Sequence, residues 1–189
     1  MAPTSTDTTA AASPAARVLE IGCGTRKAEG AVGLDLLDLP GVDIVHDLEV
    51  FPWPVEDGAF DRVLCYHVLE HVRDICGVMD ELHRVTAPGG RVHIIVPYFA
   101  RYSAFKDPTH VRFCTFESFK YFVEGTKDRD RAYSKRPFRY AKHELVFRHG
   151  LRGTLGKLIF RLSRKRYERH WSMFFPARLL EIELEPAGG

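Results

Sequence analysis

No uninterrupted apolar run in this 189-residue chain approaches the roughly 18 residues that a membrane-spanning helix needs, which excludes a transmembrane segment and argues against membrane contact. The first 16 residues are mostly Ala, Thr, Ser and Pro, with one acid and no apolar stretch. They lack a secretory signal and read as a disordered tail ahead of one domain over 17–189, in a cytoplasmic protein. Cysteine is scarce. Cys23, Cys65, Cys76 and Cys114 form no C-x-x-C pair and show no zinc-finger spacing. That leaves reduced structural thiols rather than a dithiol or zinc centre. Sequence-specific nucleic-acid recognition has no motif here.

The glycine pattern is also short of the usual one. The run Val18-Leu19-Glu20-Ile21 breaks into Gly22-Cys23-Gly24, and a second apolar run ends at Gly33-Leu34-Asp35. The two glycines let a ligand approach the backbone where a side chain would obstruct it. A carboxylate ending the next strand can accept hydrogen bonds from two ribose hydroxyls. A dinucleotide fingerprint needs a third glycine and an acid about 20 positions on. Here the third glycine is missing and Asp35 follows Gly22 by only 13 residues. That leaves room for a turn or so of helix, and no well-formed helix N-terminus for a pyrophosphate. The pattern points to a ligand with a nucleoside but no phosphate.

What is present suits one soluble globular domain: 45% apolar and 28% charged residues, enough to build a core. Short β-branched or apolar runs at 17–21, 31–35, 42–46, 60–65 and 91–96 predict strands buried on both faces. Ile75, Val78, Met79, Leu82 and Val85 recur at helical spacing and predict a helix over 73–85, stopped by Pro88-Gly89-Gly90. A second helix is predicted over 115–123, with Thr115 as N-cap and Phe116, Phe119 and Phe122 or Val123 facing inward. Strands at 139–147 and 179–184 follow. In the latter, Glu181 and Glu183 alternate with Leu180, Ile182 and Leu184, as in an antiparallel strand with one partly solvated face. The sum is an α/β fold: a Rossmann-like open sheet of mostly parallel strands, an antiparallel C-terminal strand and helices on both faces. Ligands in such sheets bind beyond the strand carboxyl ends, at the topological switch point. Gly22, Gly24, Asp35, Asp47, Tyr66 and His67 all fall there.

At this point the text VLEIGCG, GLDL, HDLEVFPWPVEDGAFDRVLCYHVLEHV and APGGRVHIIVP resembles the class I S-adenosylmethionine-dependent methyltransferases, over about 17–96, with weaker similarity through DPTHVRFCTFESF. It most resembles small methyltransferase-domain proteins with a shortened first crossover helix. The resemblance implies S-adenosylmethionine as cofactor. Glu20, Gly22, Cys23 and Gly24 would line its methionine and ribose part, and Asp35 would bind the ribose hydroxyls. Leu36 would cover the adenine, Asp47 would accept from its amino group, and the Leu48 amide would read a ring nitrogen. Cys65 and Tyr66 would bracket the methionine moiety, with His67 at the mouth. Lys27 would pair with the cofactor carboxylate, offsetting the stunted helix.

Candidates for a general base come from two places. His110 has a pKa in the working range, and Asp107 is placed to orient it. The alternative is that Asp107 caps a turn and His110 packs under the following helix. His67, Glu70 and His71 stand at i, i+3 and i+4 and, if helical, would share one face as metal ligands do. With no further ligand to place, the preferred reading has no metal, with His67 lining the cofactor pocket and Glu70 and His71 bonding at a helix start. Phe99, Tyr102, Phe105 and Phe113 form either an apolar acceptor pocket or core.

The net charge of +2 is uneven. Residues 148–170 hold eight Lys/Arg against the single acid Glu168. This basic insertion, with an apolar stripe of Leu155, Leu158, Ile159 and Leu162, suits an anionic substrate, a phosphate-bearing carrier or an acidic membrane face. The plainer alternative is a solvated helix packed on its own domain or on the mate of a homodimer.

The function expected is S-adenosylmethionine-dependent methyl transfer to an O or N nucleophile of a small-molecule acceptor, a biosynthetic intermediate. The rival is a non-methylating cofactor-binding or accessory protein of the same fold. A weaker third reading is methylation of a macromolecule docked on the basic insertion.

Overall fold

A seven-stranded sheet organises the chain, its strands lying in the order 44–45, 31–35, 18–21, 60–66, 86–97, 179–186 and 138–146. The computed structural model describes residues 16–131 and 133–188, so the tail expected at 1–16 lies, apart from Ala16, outside the described residues. The strands are β1 (Val18–Ile21), β2 (Ala31–Asp35), β3 (Ile44–Val45), β4 (Phe60–Tyr66), β5 (Thr86–Pro97), β6 (Phe138–Val146) and β7 (Leu179–Pro186). β1 to β5 run parallel, and β7 inserts antiparallel between β5 and β6. Chain order reverses between β1 and β4, which opens the switch point at the carboxyl ends of these two strands.

β1 and β4 are buried along most of their length, as parallel strands covered on both faces should be. β7 alternates as its sequence predicts: Leu180, Ile182 and Leu184 are fully buried while the glutamates between them are half-buried. Each such aliphatic side chain contributes roughly 1.5–3 kcal/mol by leaving water. Helix α1 (Ile75–Val85) begins two residues later than its pattern predicts, because Asp74 is its N-cap and accepts from the Gly77 amide at 2.9 Å. Val78, Met79, Leu82 and Val85 form its buried face.

Several local expectations are corrected. Pro88-Gly89-Gly90 does not separate helix from strand: β5 starts at Thr86, and the extra residues make a bulge against β4 between Phe60 and Arg62. The helix predicted at 115–123 is a 3₁₀ turn over Ser118–Phe122, preceded by Glu117 instead of a Thr115 cap. Thr115 bonds Ser118 and the Glu117 amide locally, which competes with regular helix. Its aromatic face is as predicted, with Phe116, Phe119, Phe122 and Val123 all buried. Only Ile44 and Val45 of the stretch 42–46 form strand.

Helix α2 (Tyr102–Lys106) follows β5, and the basic insertion between β6 and β7 contains helix α3 (Leu151–Leu162), a short helical turn and a π-helical turn over Tyr167–Trp171. Of the expected stripe, Ile159 packs partly on the core, but Leu155, Leu158 and Leu162 do not face the domain. Gly153, Gly156 and Phe160 do, while Leu151, Leu155, Leu158 and Leu162 are exposed. A Cβ on Gly156 would come within 2.7 Å of the Phe175 carbonyl, so close approach of backbones selects the glycine face over the leucines. Glu168, the lone acid of the segment, anchors the insertion to the sheet end by accepting from the Tyr98 hydroxyl (3.0 Å) and the Phe116 amide (2.7 Å). Among the described residues, no helix is long and apolar enough to cross a membrane.

Candidate active site

The turn after β1 is built from two left-handed glycines, Gly22 at φ 61° and Gly24 at φ 53°. Both conformations are strained for residues bearing a Cβ. The Gly22 amide donates to the Leu34 carbonyl at 2.7 Å, which draws the turn against the end of β2. No helix follows: 22–30 is turn and irregular chain, so the crossover helix shortened in sequence is absent in structure. Glu20 closes this turn from below. It is 8% exposed and accepts from the Ala28 amide at 2.6 Å.

Asp35 ends β2 with its carboxylate already fixed. Oδ2 accepts from the Gly24 amide at 2.9 Å and Oδ1 from the Leu37 amide at 3.0 Å. A carboxylate offers about four lone-pair sites, so two bonds remain for incoming hydroxyls. Beyond it Leu36 is 61% exposed, an apolar side chain at the strand mouth. Asp47 follows β3, exposed, with Oδ1 on the Glu49 amide at 2.9 Å. Leu48 packs partly on the core, and its carbonyl accepts from the Trp53 indole. These groups fit an adenosine: bare backbone at Gly24 with open space where a Cβ would stand, an oriented acid and an exposed leucine on one sheet edge.

Lys27 is placed differently from expectation. Its ammonium pairs with Asp43, which also takes the Gly33 amide at 2.7 Å. The aliphatic stem runs over Gly33, where a Cβ would meet Lys27 Cδ at 2.7 Å and Cys23 Sγ at 2.6 Å. The lysine thus braces β2 against the segment before β3 and is not free for a cofactor carboxylate.

Cys23 and Cys65 are buried free thiols. Burial, reinforced by Asp35, raises the Cys23 pKa, and burial pushes that of Cys65 well up, so neither is a thiolate at neutral pH. Tyr66 ends β4 with its hydroxyl 2.7 Å from His93 Nδ1; His93 Nε2 lies 3.0 Å from Glu181, which also accepts from Lys142 at 2.8 Å. Strand register assembles this polar ladder across β4, β5, β7 and β6, and nothing in the linear spacing marks it.

His67 stands just past β4 at φ 58°, with its Nδ1 3.2 Å from Glu70 Oε1. Residues 67–71 form a turn, not a helix, so the one-face argument for His67, Glu70 and His71 fails. Long-range packing supplies a different trio instead. Donor atoms of Glu70, His71 and His110 lie within 4.8 Å of one another. His110 Nδ1 sits 2.7 Å from the Ala104 carbonyl, which can only accept, so in the neutral ring Nδ1 carries the proton and Nε2 has the lone pair. Asp107 does not hold His110. It accepts from the Thr109 amide and hydroxyl, which keep its pKa low, and Thr109 Oγ1 in turn meets His71 Nδ1 at 2.8 Å. Glu70 is 2% exposed, and its Oε2 has no hydrogen-bond partner. A buried carboxylate oxygen beside two imidazoles suits a shared proton or a divalent cation.

These side chains line a cavity of about 520 Å³ with Ser103 and Lys106 of α2 (Tyr102–Lys106) and Arg178 before β7. That volume is within the range of about 300–1,000 Å³ typical of small-molecule sites. Of the four aromatics, Phe99 packs partly on the core, whereas Tyr102, Phe105 and Phe113 are 76%, 57% and 46% exposed and lie outside both the core and this cavity. Ser103, Lys106 and Arg178 carried no motif in sequence. Their only signal is position, after β5 and before β7.

Comparison with known proteins agrees with this geometry. A family model described as a methyltransferase domain matches residues 4–178. The ubiquinone biosynthesis O-methyltransferase of Pseudomonas aeruginosa strain UCBPP-PA14 is 31% identical over 99 residues, covering 41% of this chain and 43% of that protein. The chain thus spans less than half the length of the curated relatives it matches. Among solved structures, a SAM-dependent methyltransferase from Archaeoglobus fulgidus aligns with TM-score 0.55 and 16% identity, over 90% of this chain and 86% of its own. The [4+2]-cyclase SpnF aligns with TM-score 0.56 and 15% identity, over 92% and 76%. The chain belongs to the class I S-adenosylmethionine-dependent methyltransferase family, and its cofactor is S-adenosylmethionine.

Proposed function

We propose that this protein transfers a methyl group to an O or N nucleophile of a small molecule, a biosynthetic intermediate. The reading rests chiefly on Asp35, fixed by two backbone amides over a left-handed glycine turn at the switch point. Asp35 takes the ribose hydroxyls, and Gly22, Cys23 and Gly24 admit the ribose and methionine against bare backbone. Glu20 supports that turn from beneath. Leu36 covers the adenine, Asp47 and the Leu48 amide read its edge, and Cys65 and Tyr66 border the methionine moiety.

When bound, S-adenosylmethionine supplies an electrophilic methyl on a sulfonium. The chain's own residues then have two tasks, alignment and proton removal. Alignment of donor and acceptor can supply on the order of 7–11 kcal/mol of the barrier. His110, with Nε2 free, removes the acceptor's proton; His67 stands at the mouth between the two ligands. Asp107 acts through Thr109 on His71 and is a positioning residue. The orphan Glu70 Oε2 favours a second reading of the acceptor side, in which Glu70, His71 and His110 hold a divalent ion that binds the acceptor oxygen.

The test has three parts. Calorimetry should show S-adenosylhomocysteine binding that weakens at least about tenfold in Asp35→Asn, because the amide NH₂ cannot accept from both backbone amides and a hydroxyl. A radiolabelled methyl-transfer screen should then find an acceptor, with His110→Ala lowering turnover by about 10²–10⁴-fold. Loss of transfer on chelation, restored by a divalent ion, would select the metal reading. Tight cofactor binding with no transfer to any acceptor would select the non-methylating rival, to which the absent crossover helix and the likeness to a cyclase lend support.

A further inference from the structure

A separate cavity of about 270 Å³ is lined by Arg101, Arg148, His149, Arg152, Phe175 and Pro176. Arg148 and Arg152 flank Gly150, the N-cap of α3, while Arg101 comes from the start of α2, after β5. Among the described residues, no carboxylate lines this cavity. Among the described residues, arginine ion pairs belong to Arg17, Arg84, Arg91 and Arg139, and to none of these three. The Nε of Arg101 is buried without a hydrogen-bond partner. Arg101 is half-buried while Arg148 and Arg152 are exposed, so three cations line one cavity with no acid among them, and a buried guanidinium N–H with no acceptor is costly. An anion relieves both. The planar fork of arginine matches phosphate oxygens bidentately. Gly150 gives α3 no side-chain cap, so the helix end adds partial positive charge on the same side.

The cavity is below the roughly 300 Å³ that encloses a whole drug-sized ligand, and so takes a head group. Its neighbour takes the rest. Two chain segments line both spaces: Arg101 here with Ser103 and Lys106 next door, and Phe175 and Pro176 here with Arg178 and Leu179 next door. We infer that this cavity is a phosphate subsite, and that the methyl acceptor is a phosphorylated small molecule whose reacting end lies in the 520 Å³ cavity beside His110. Phosphate binding stands without methyl transfer; the assignment to the acceptor rests on the function proposed above.

The test uses calorimetry of the full chain with inorganic phosphate and pyrophosphate, and with S-adenosylhomocysteine in parallel. Saturable phosphate binding is expected, weakened at least about tenfold in Arg101→Gln and in the double variant Arg148→Gln/Arg152→Gln. Arg62→Gln, an exposed arginine at the opposite end of the strands, should bind phosphate as wild type. Affinity for S-adenosylhomocysteine should be the same in all of them. Without phosphate the double variant should melt at or above the wild-type temperature, and phosphate should raise the Tm of wild type and of Arg62→Gln but not that of the double variant. Phosphate that does not saturate, variants that bind it as wild type does, or a double variant that melts lower without phosphate would each overturn the subsite. Retention on phosphatidylglycerol vesicles that free phosphate fails to displace would overturn the soluble acceptor. Failure of S-adenosylhomocysteine alone to bind would sink the function proposed above and leave the phosphate result standing.

Discussion

Replacing Gly22 and Gly24 separately by Ala should give two different losses, because the two glycines are needed for different reasons. Both sit in the left-handed region, where a Cβ costs roughly 1–2 kcal/mol. At Gly24 that is the whole cost to the fold, since nothing lies within 4 Å of the added carbon. At Gly22 the Cβ would stand 2.4 Å from Val68 Cγ2, and Val68 is 8% exposed within the core. Forcing such a contact adds about 1–3 kcal/mol of overpacking. In a chain of this size, 1 kcal/mol moves Tm by about 2–4 °C. Gly24→Ala should therefore melt about 2–8 °C below wild type, and Gly22→Ala about 4–20 °C below, the difference read by scanning calorimetry. Binding should rank otherwise: Gly24→Ala puts its methyl into the open space of the cradle and should weaken S-adenosylhomocysteine at least about tenfold despite the milder melting loss. Equal Tm losses would refute the packing argument. Undiminished affinity in Gly24→Ala would refute the cradle.

His143 stacks between Phe116 and Tyr140, at ring distances of 3.7 and 4.2 Å, with Nε2 2.7 Å from the Phe116 carbonyl. Burial lowers its pKa from 6.5 to about 4. The unfolded chain thus binds a proton in this window that the folded chain refuses. The stability from His143 is complete above pH 6.5 and falls as pH drops towards 4, by up to about 3 kcal/mol; urea melts at pH 7 and 4.5 should show it, and His143→Gln should flatten that slope. Lys27→Ala should leave S-adenosylhomocysteine affinity within about twofold of wild type, because the ammonium is engaged by Asp43; a calorimetric loss beyond tenfold would return the lysine to the cofactor.

At the site and in the basic insertion, the departures of structure from sequence expectation come mostly from non-local contacts. Lys27 is drawn to Asp43, sixteen residues on, by an ion pair that no local pattern encodes. The choice of α3's buried face goes to Gly153 and Gly156 because Arg148 and Phe175 backbone atoms approach them closely, although the leucines carry the stronger periodic signal. The i, i+3, i+4 spacing of His67, Glu70 and His71 predicts a shared face only for a helix. The left-handed backbone at His67 breaks that premise, and His110 joins Glu70 and His71 from the loop beyond β5.

The strands, their order of appearance, the glycine turn and the acid at the end of the second strand were legible from residues alone. Each rests on a short-range regularity: a β-branched run, a φ that glycine adopts freely, a period of two. Only the tertiary structure decided which cations share a cavity, that Thr109 links Asp107 to His71, and that Ala104 sets the His110 tautomer. Such groupings depend on loops that converge after the sheet has formed, and their distances follow from packing, which no single stretch of chain contains.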